Sequence, residues 1–116
     1  RAARRYAEGL RGLDAVKTPG CAPDDASRHV FHLFVIQCER RDELLAELST
    51  HGIQCGIHYP VPLHLHGAFR DFGVKRGSLS VAEGHASTIL SLPMFPELAD
   101  EQIDRVVDAI WTFYGA

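Results

Sequence analysis

Lysine, methionine, tryptophan and cysteine are all scarce in this chain, and each scarcity narrows what it can be. Among 116 residues there are two lysines (Lys17 and Lys75), one methionine, one tryptophan and three cysteines. Both lysines stand in polar, turn-like surroundings, so neither reads as a desolvated amine with a lowered pKa. Cys21, Cys38 and Cys55 are widely spaced and odd in number. That argues against a disulfide framework or a Cys-x-x-Cys metal knuckle and for reduced, buried thiols in a cytoplasmic protein. No apolar run approaches the length of a bilayer span, so no membrane partner is expected. The 12 basic and 15 acidic residues are interspersed, the formal charge is −3, and no basic patch alternates with aromatics. A nucleic-acid partner is therefore not expected either. GxGxxG and GxxxxGK(S/T) loops are missing, so phosphates have no self-contained cradle. Ser91 lacks a GxSxG elbow, which removes a hydrolase nucleophile.

What remains is one domain's worth of chain, 46% hydrophobic, without repeats or low-complexity tracts. Ala3, Tyr6, Ala7, Leu10 and Leu13 predict a helix over 2–13, and the prolines and glycines of 17–25 a loop. His29 to Gln37 is β-branched, aromatic and apolar on both faces, which predicts a central strand covered on both sides. His32 reads there as a buried core histidine rather than a catalytic one. A helix over 41–51 ends at Gly52, placed as a C′ glycine. Ile53 to Tyr59 alternates like a second strand, Gly67 to Phe72 suggests a short helix, Val81 to Ile89 a longer one, and Leu90 to Met94 a third strand. Asp100 to Tyr114 carries a clear apolar stripe behind Ala99, a poor N-cap. The order predicts an α+β fold, a small sheet with helices packed on it.

The candidate site is the run Gly56-Ile57-His58-Tyr59-Pro60-Val61-Pro62-Leu63-His64-Leu65-His66. Each proline fixes its own φ and biases its predecessor toward extended geometry, so the run is a stiff arm. Three readings of its histidines compete. His58, His64 and His66 can be zinc ligands, although prolines break the helical spacing and no acid is interleaved. They can be structural or merely solvated. The reading favoured here is polar contacts lining a ligand site, since side chains on a rigid loop after a strand suit that task.

Longer motifs point further. Gly52 to His64, Ala82-Glu83, Leu90-Ser91-Leu92-Pro93-Met94-Phe95-Pro96-Glu97-Leu98 and Gln102 to Val107 occur in order. Together they resemble the C-terminal region of the DegT/StrS family of nucleotide-sugar and aminocyclitol aminotransferases. The resemblance implies the small C-terminal domain of a fold-type-I transferase dependent on pyridoxal 5'-phosphate. Residues 1–116 would form that domain, with the large domain absent; the chain opens on Arg1, already in a helical pattern. It further implies that the missing domain holds the cofactor and its Schiff-base lysine, and that this chain alone is inactive. Glutamate or glutamine would donate nitrogen to a keto-sugar nucleotide or keto-cyclitol, in a homodimer. His58, Tyr59 and His64 would contact the substrate, with His64 first and His58 second in rank; His66 falls where the family pattern varies. The rival from another class is a free-standing α+β ligand-binding or regulatory module without catalytic activity.

Overall fold

A computed structural model describes residues 1–20 and 29–115. Three strands form an antiparallel sheet in the order β1 (Val16–Lys17), β2 (Phe34–Cys38), β3 (Ile89–Leu92). Among the described residues four helices accompany it: α1 (Ala2–Gly9), α2 (Arg41–Thr50), α3 (Ser80–Thr88) and α4 (Asp100–Tyr114). Leu63–Leu65 and Gly67–Phe72 are short 3₁₀ turns. The α+β expectation and the central place of the His29–Gln37 region both hold.

The core lies on one face of β2, where Phe34, Ile36 and Cys38 are buried. Pairing Phe34 with Leu92 and Ile36 with Leu90 puts the leucines of β3 on that same face. Tyr6, Leu44, Leu48, Ile103 and Ile110 from the helices fill the space above, each fully buried. The Tyr6 ring stacks on Phe34 at 5.1 Å, and its hydroxyl donates to the Pro93 carbonyl at 3.0 Å. A side chain of this size burying its whole apolar body contributes about 2 kcal/mol or more. At the surface, Arg5 grips Asp104 in a two-pronged contact of 2.7 and 2.6 Å, tying α1 to α4.

The ends of α2 and α4 obey local rules. Gly52 has φ +70, and the amides of Gly52 and Ile53 close on the carbonyls of Ser49 (3.0 Å) and Leu48 (2.9 Å), a Schellman motif. Ala99 offers no side-chain acceptor to α4; instead Gln102 reaches back to the Ala99 amide at 2.9 Å, half of a capping box.

Several expectations are corrected. The first helix stops at Gly9, and a turn through Gly12 (φ +86) carries Leu10 and Leu13 into the core. The two-residue strand β1, unforeseen, occupies the start of the expected loop; residues 21–25 of that loop, with Cys21, lie outside the described residues. The central strand begins at Phe34, not His29. Phe31 has φ +46, which breaks the extended run, so Val30 is 91% exposed and His32 is exposed rather than a core histidine. Cover on both sides is also incomplete, since Val35 and Gln37 are only half-buried. The strand expected over Ile53–Tyr59 is reduced to a single bridge, Gly56 with Ser91. Pro60 and Pro62 have no amide to extend that ladder.

Candidate functional site

The arm leaves the edge of β3 at this bridge. The Gly56 amide donates to the Ser91 carbonyl at 3.1 Å, and the Ser91 amide donates back at 2.7 Å. Ser91 pairs with Val35, so its side chain lies on the face of the sheet opposite the core. There the His58 imidazole folds back over Gly56, and its Nδ1 shares a hydrogen bond of 2.9 Å with Ser91 Oγ. The fold-back needs glycine: a Cβ on residue 56 would stand 2.8 Å from His58 Cε1. Ser91 is only 4% exposed, whereas His58 is exposed, so the bond anchors an outward-facing ring to a buried hydroxyl. Tyr59, beside it, meets the His58 ring edge-on at 5.6 Å and is 72% exposed.

The far end of the arm is held by α3. His64 Nε2 lies 3.0 Å from Glu83 Oε1, with both side chains largely buried (8% and 15% exposed). The same carboxylate receives the Gly77 amide at 2.8 and 2.9 Å and the Leu79 amide at 3.4 Å. Burial alone would raise the Glu83 carboxyl; the hydrogen bonds from His64, Gly77 and Leu79 outweigh it and hold the group below the usual carboxylate range. His66 is engaged separately, its Nε2 3.2 Å from the Val61 carbonyl oxygen.

Two hollows meet at His64. One, about 300 Å³, is apolar and runs between Leu63, Phe69, Phe72 and Leu79. The other, about 400 Å³, has His66, Arg70 and Lys75 in its wall. The arm is therefore a stiff strap stapled by Ser91 of β3 and Glu83 of α3, consecutive elements of the chain. It offers the His64 imidazole beside an apolar hollow, with the exposed His58 and Tyr59 earlier on the same arm, an arrangement suited to binding a hydroxylated ligand.

His58, Tyr59 and His64 thus share one arm, with His58 and Tyr59 in contact and His64 stapled separately. The three histidines of the zinc reading instead go to three different partners, and no group of three or more metal-ligating side chains occurs among the described residues. Sequence reasoning missed the partners. The sequence shows Ser91 as a residue without a nucleophile elbow and as part of a motif, and Glu83 as part of a motif alone. Ser80-x-x-Glu83 is a readable helix-start pattern that could have flagged the acid; nothing comparable marks Ser91.

The chain is a member of the DegT/DnrJ/EryC1/StrS aminotransferase family, whose profile matches residues 1–111. It is 44% identical over 108 residues to the dTDP-3-amino-3,4,6-trideoxy-alpha-D-glucose transaminase of Streptomyces venezuelae, covering 93% of this chain and 28% of that protein. It is 48% identical over 101 residues to the "Pleiotropic regulatory protein" of Geobacillus stearothermophilus, covering 87% of this chain and 27% of that one. Its fold matches the crystal structure of S. venezuelae DesV in complex with a ketimine intermediate, with TM-score 0.90 and 42% identity over 99% of this chain and 30% of that one. The chain therefore spans under a third of the length of the relatives it matches.

Proposed function

We propose that residues 1–116 are the C-terminal small domain of a cytoplasmic, homodimeric aminotransferase dependent on pyridoxal phosphate. The enzyme moves an amino group from glutamate or glutamine to a keto-sugar nucleotide or keto-cyclitol, and the arm closes over the acceptor. The observation that carries this reading is the way the histidines are held. His58 and His64 each spend one ring nitrogen on a staple and have no partner for the other among the described residues. A second observation supports it. Seven of the nine large apolar side chains exposed in the described residues lie between Tyr59 and Val81. Such concentration marks a surface that meets something, here the large domain or the second subunit.

Neither lysine suits a Schiff base, which needs a desolvated amine, since Lys17 and Lys75 are both exposed. The cofactor is accordingly held by the large domain, where it supplies the electron sink for the reaction, and this chain alone is inactive. Its own residues bind and orient the acceptor. His64→Ala in the full-length enzyme should lower turnover of the keto acceptor about tenfold while sparing the glutamate half-reaction. Equal loss in both halves, or none, refutes an acceptor-side role. The second reading, a binding or regulatory module, draws on the relative named a pleiotropic regulatory protein. It requires a complete reading frame without a large domain carrying a lysine for the cofactor.

A further inference from the structure

We propose that Glu83 is a positioning residue that fixes His64 in its Nε2–H tautomer, so that the acceptor-facing nitrogen, Nδ1, receives a hydrogen bond from a substrate hydroxyl. The inference rests on the acceptor-side role of His64 and assigns which chemical group that residue recognises.

The donors around Glu83 decide the tautomer. Oε1 already faces the amides of Gly77 at 2.8 Å and Leu79 at 3.4 Å, and Oε2 faces Gly77 at 2.9 Å. A carboxylate so held is ionised and accepts only, and its pKa lies below the usual range. The ring nitrogen 3.0 Å from Oε1 therefore carries the proton. In the neutral imidazole the other nitrogen is then unprotonated and can only accept. His64 Nδ1 has no partner among the described residues, and no buried side-chain nitrogen or oxygen is left unpaired among them. Nδ1 is thus reachable, and His64 lines both hollows.

The consequence is chemical selectivity. A lone pair at Nδ1 attracts an O–H donor and repels a phosphate oxygen, so His64 reads a hydroxyl of the acceptor and not its anionic portion. His58 is different. Its staple is a hydroxyl that can donate or accept, so Ser91 imposes no tautomer and the free Nε2 of His58 can play either part. The two histidines of the arm are therefore not equivalent, although the sequence spaces them symmetrically around the prolines.

The test uses the full-length enzyme labelled with nitrogen-15 at histidine. Two-bond proton–nitrogen correlations report directly which ring nitrogen of His64 carries the proton. The wild type is expected to show Nε2–H. Glu83→Gln should keep it, because the three donors converging on Oε1 select the amide oxygen there. Glu83→Ala should lose the preference, and kcat/KM for the keto acceptor should fall about tenfold while the glutamate half-reaction is unchanged. An Nδ1–H signal in the wild type overturns the proposal, as does an unchanged tautomer and acceptor rate in Glu83→Ala. These outcomes separate from the parent reading. If His64→Ala leaves acceptor turnover intact, the acceptor-side role itself fails; if it slows turnover and Glu83→Ala does not, only the Glu83 proposal fails. Glu83→Gln also serves as the folded control, since its amide oxygen keeps the Gly77 and Leu79 contacts made to Oε1 and gives up only the Gly77 contact to Oε2.

Discussion

Gly56→Ala tests whether the His58–Ser91 staple matters, and its sign can be worked out beforehand. The added Cβ would meet His58 Cε1 at 2.8 Å, about 0.6 Å inside ordinary contact at 3.4 Å. Gly56 is not among the positive-φ residues, so the backbone accepts alanine and the ring must give way. Retreating by that distance stretches the 2.9 Å bond to Ser91 to the edge of what counts as a hydrogen bond. The Ser91 hydroxyl, 4% exposed, then has no partner, at a cost of about 1–3 kcal/mol. Against this, alanine restricts the unfolded chain and returns about 0.4–1 kcal/mol. The net expectation is a loss of about 0.5–2 kcal/mol. In a Ser91→Ala background no hydroxyl is left stranded, so the same substitution should stabilise by a few tenths of a kcal/mol. A double-mutant cycle by urea denaturation, read at constant m-value, measures the coupling. If Gly56→Ala costs the same with and without Ser91, the staple carries no energy and the reasoning is wrong.

Two further outcomes follow from the described side chains. Burial pushes the Cys38 thiol up to about 11 and the Cys55 thiol up to about 12. In a Cys21→Ser variant, alkylation at about pH 8 should therefore wait for unfolding, and rapid labelling of the native protein would contradict the packing. Asp104 is held below its ordinary value mainly by its hydrogen bond to Arg5. A lowered folded pKa gives stability that is present above the unfolded value and lost as pH falls through the folded one. Asp104→Asn should thus be less stable than wild type at neutral pH, and the difference should vanish in acid; an equal difference at both ends excludes the Arg5 contact as its source.

The helix periods, the Gly52 stop and the α4 stripe were legible because each depends on residues within one or two turns. Residues 29–33 were misread for the opposite reason. Their composition suits a strand, but a positive φ at Phe31 ends the ladder, and a backbone angle leaves no compositional trace. The alternation from Ile53 to Tyr59 does not carry through as burial, since Ile53 is buried, residues 55–57 are half-buried and His58 and Tyr59 are both open to solvent, and the partner strand pairs only at Gly56. The arm itself was found from its prolines and histidines. What holds it was not, because Ser91 and Glu83 lie 33 and 19 residues from the histidines they bind.

That separation changes how the arm's stiffness should be understood. Prolines restrict local angles but do not decide where the strap points relative to the sheet. Direction comes from Ser91, which sits in register with Val35 of the central strand, and from Glu83, one helix earlier. Because α3 runs directly into β3, both staples ride on one continuous segment, Ser80 to Leu92. Arg41 of α2 fastens that segment at its bend, donating to the carbonyls of Ile89 at 2.9 Å and Ala86 at 3.4 Å. A core change that shifts the α3–β3 bend must therefore move both imidazoles together, whereas a change within the prolines can move one without the other.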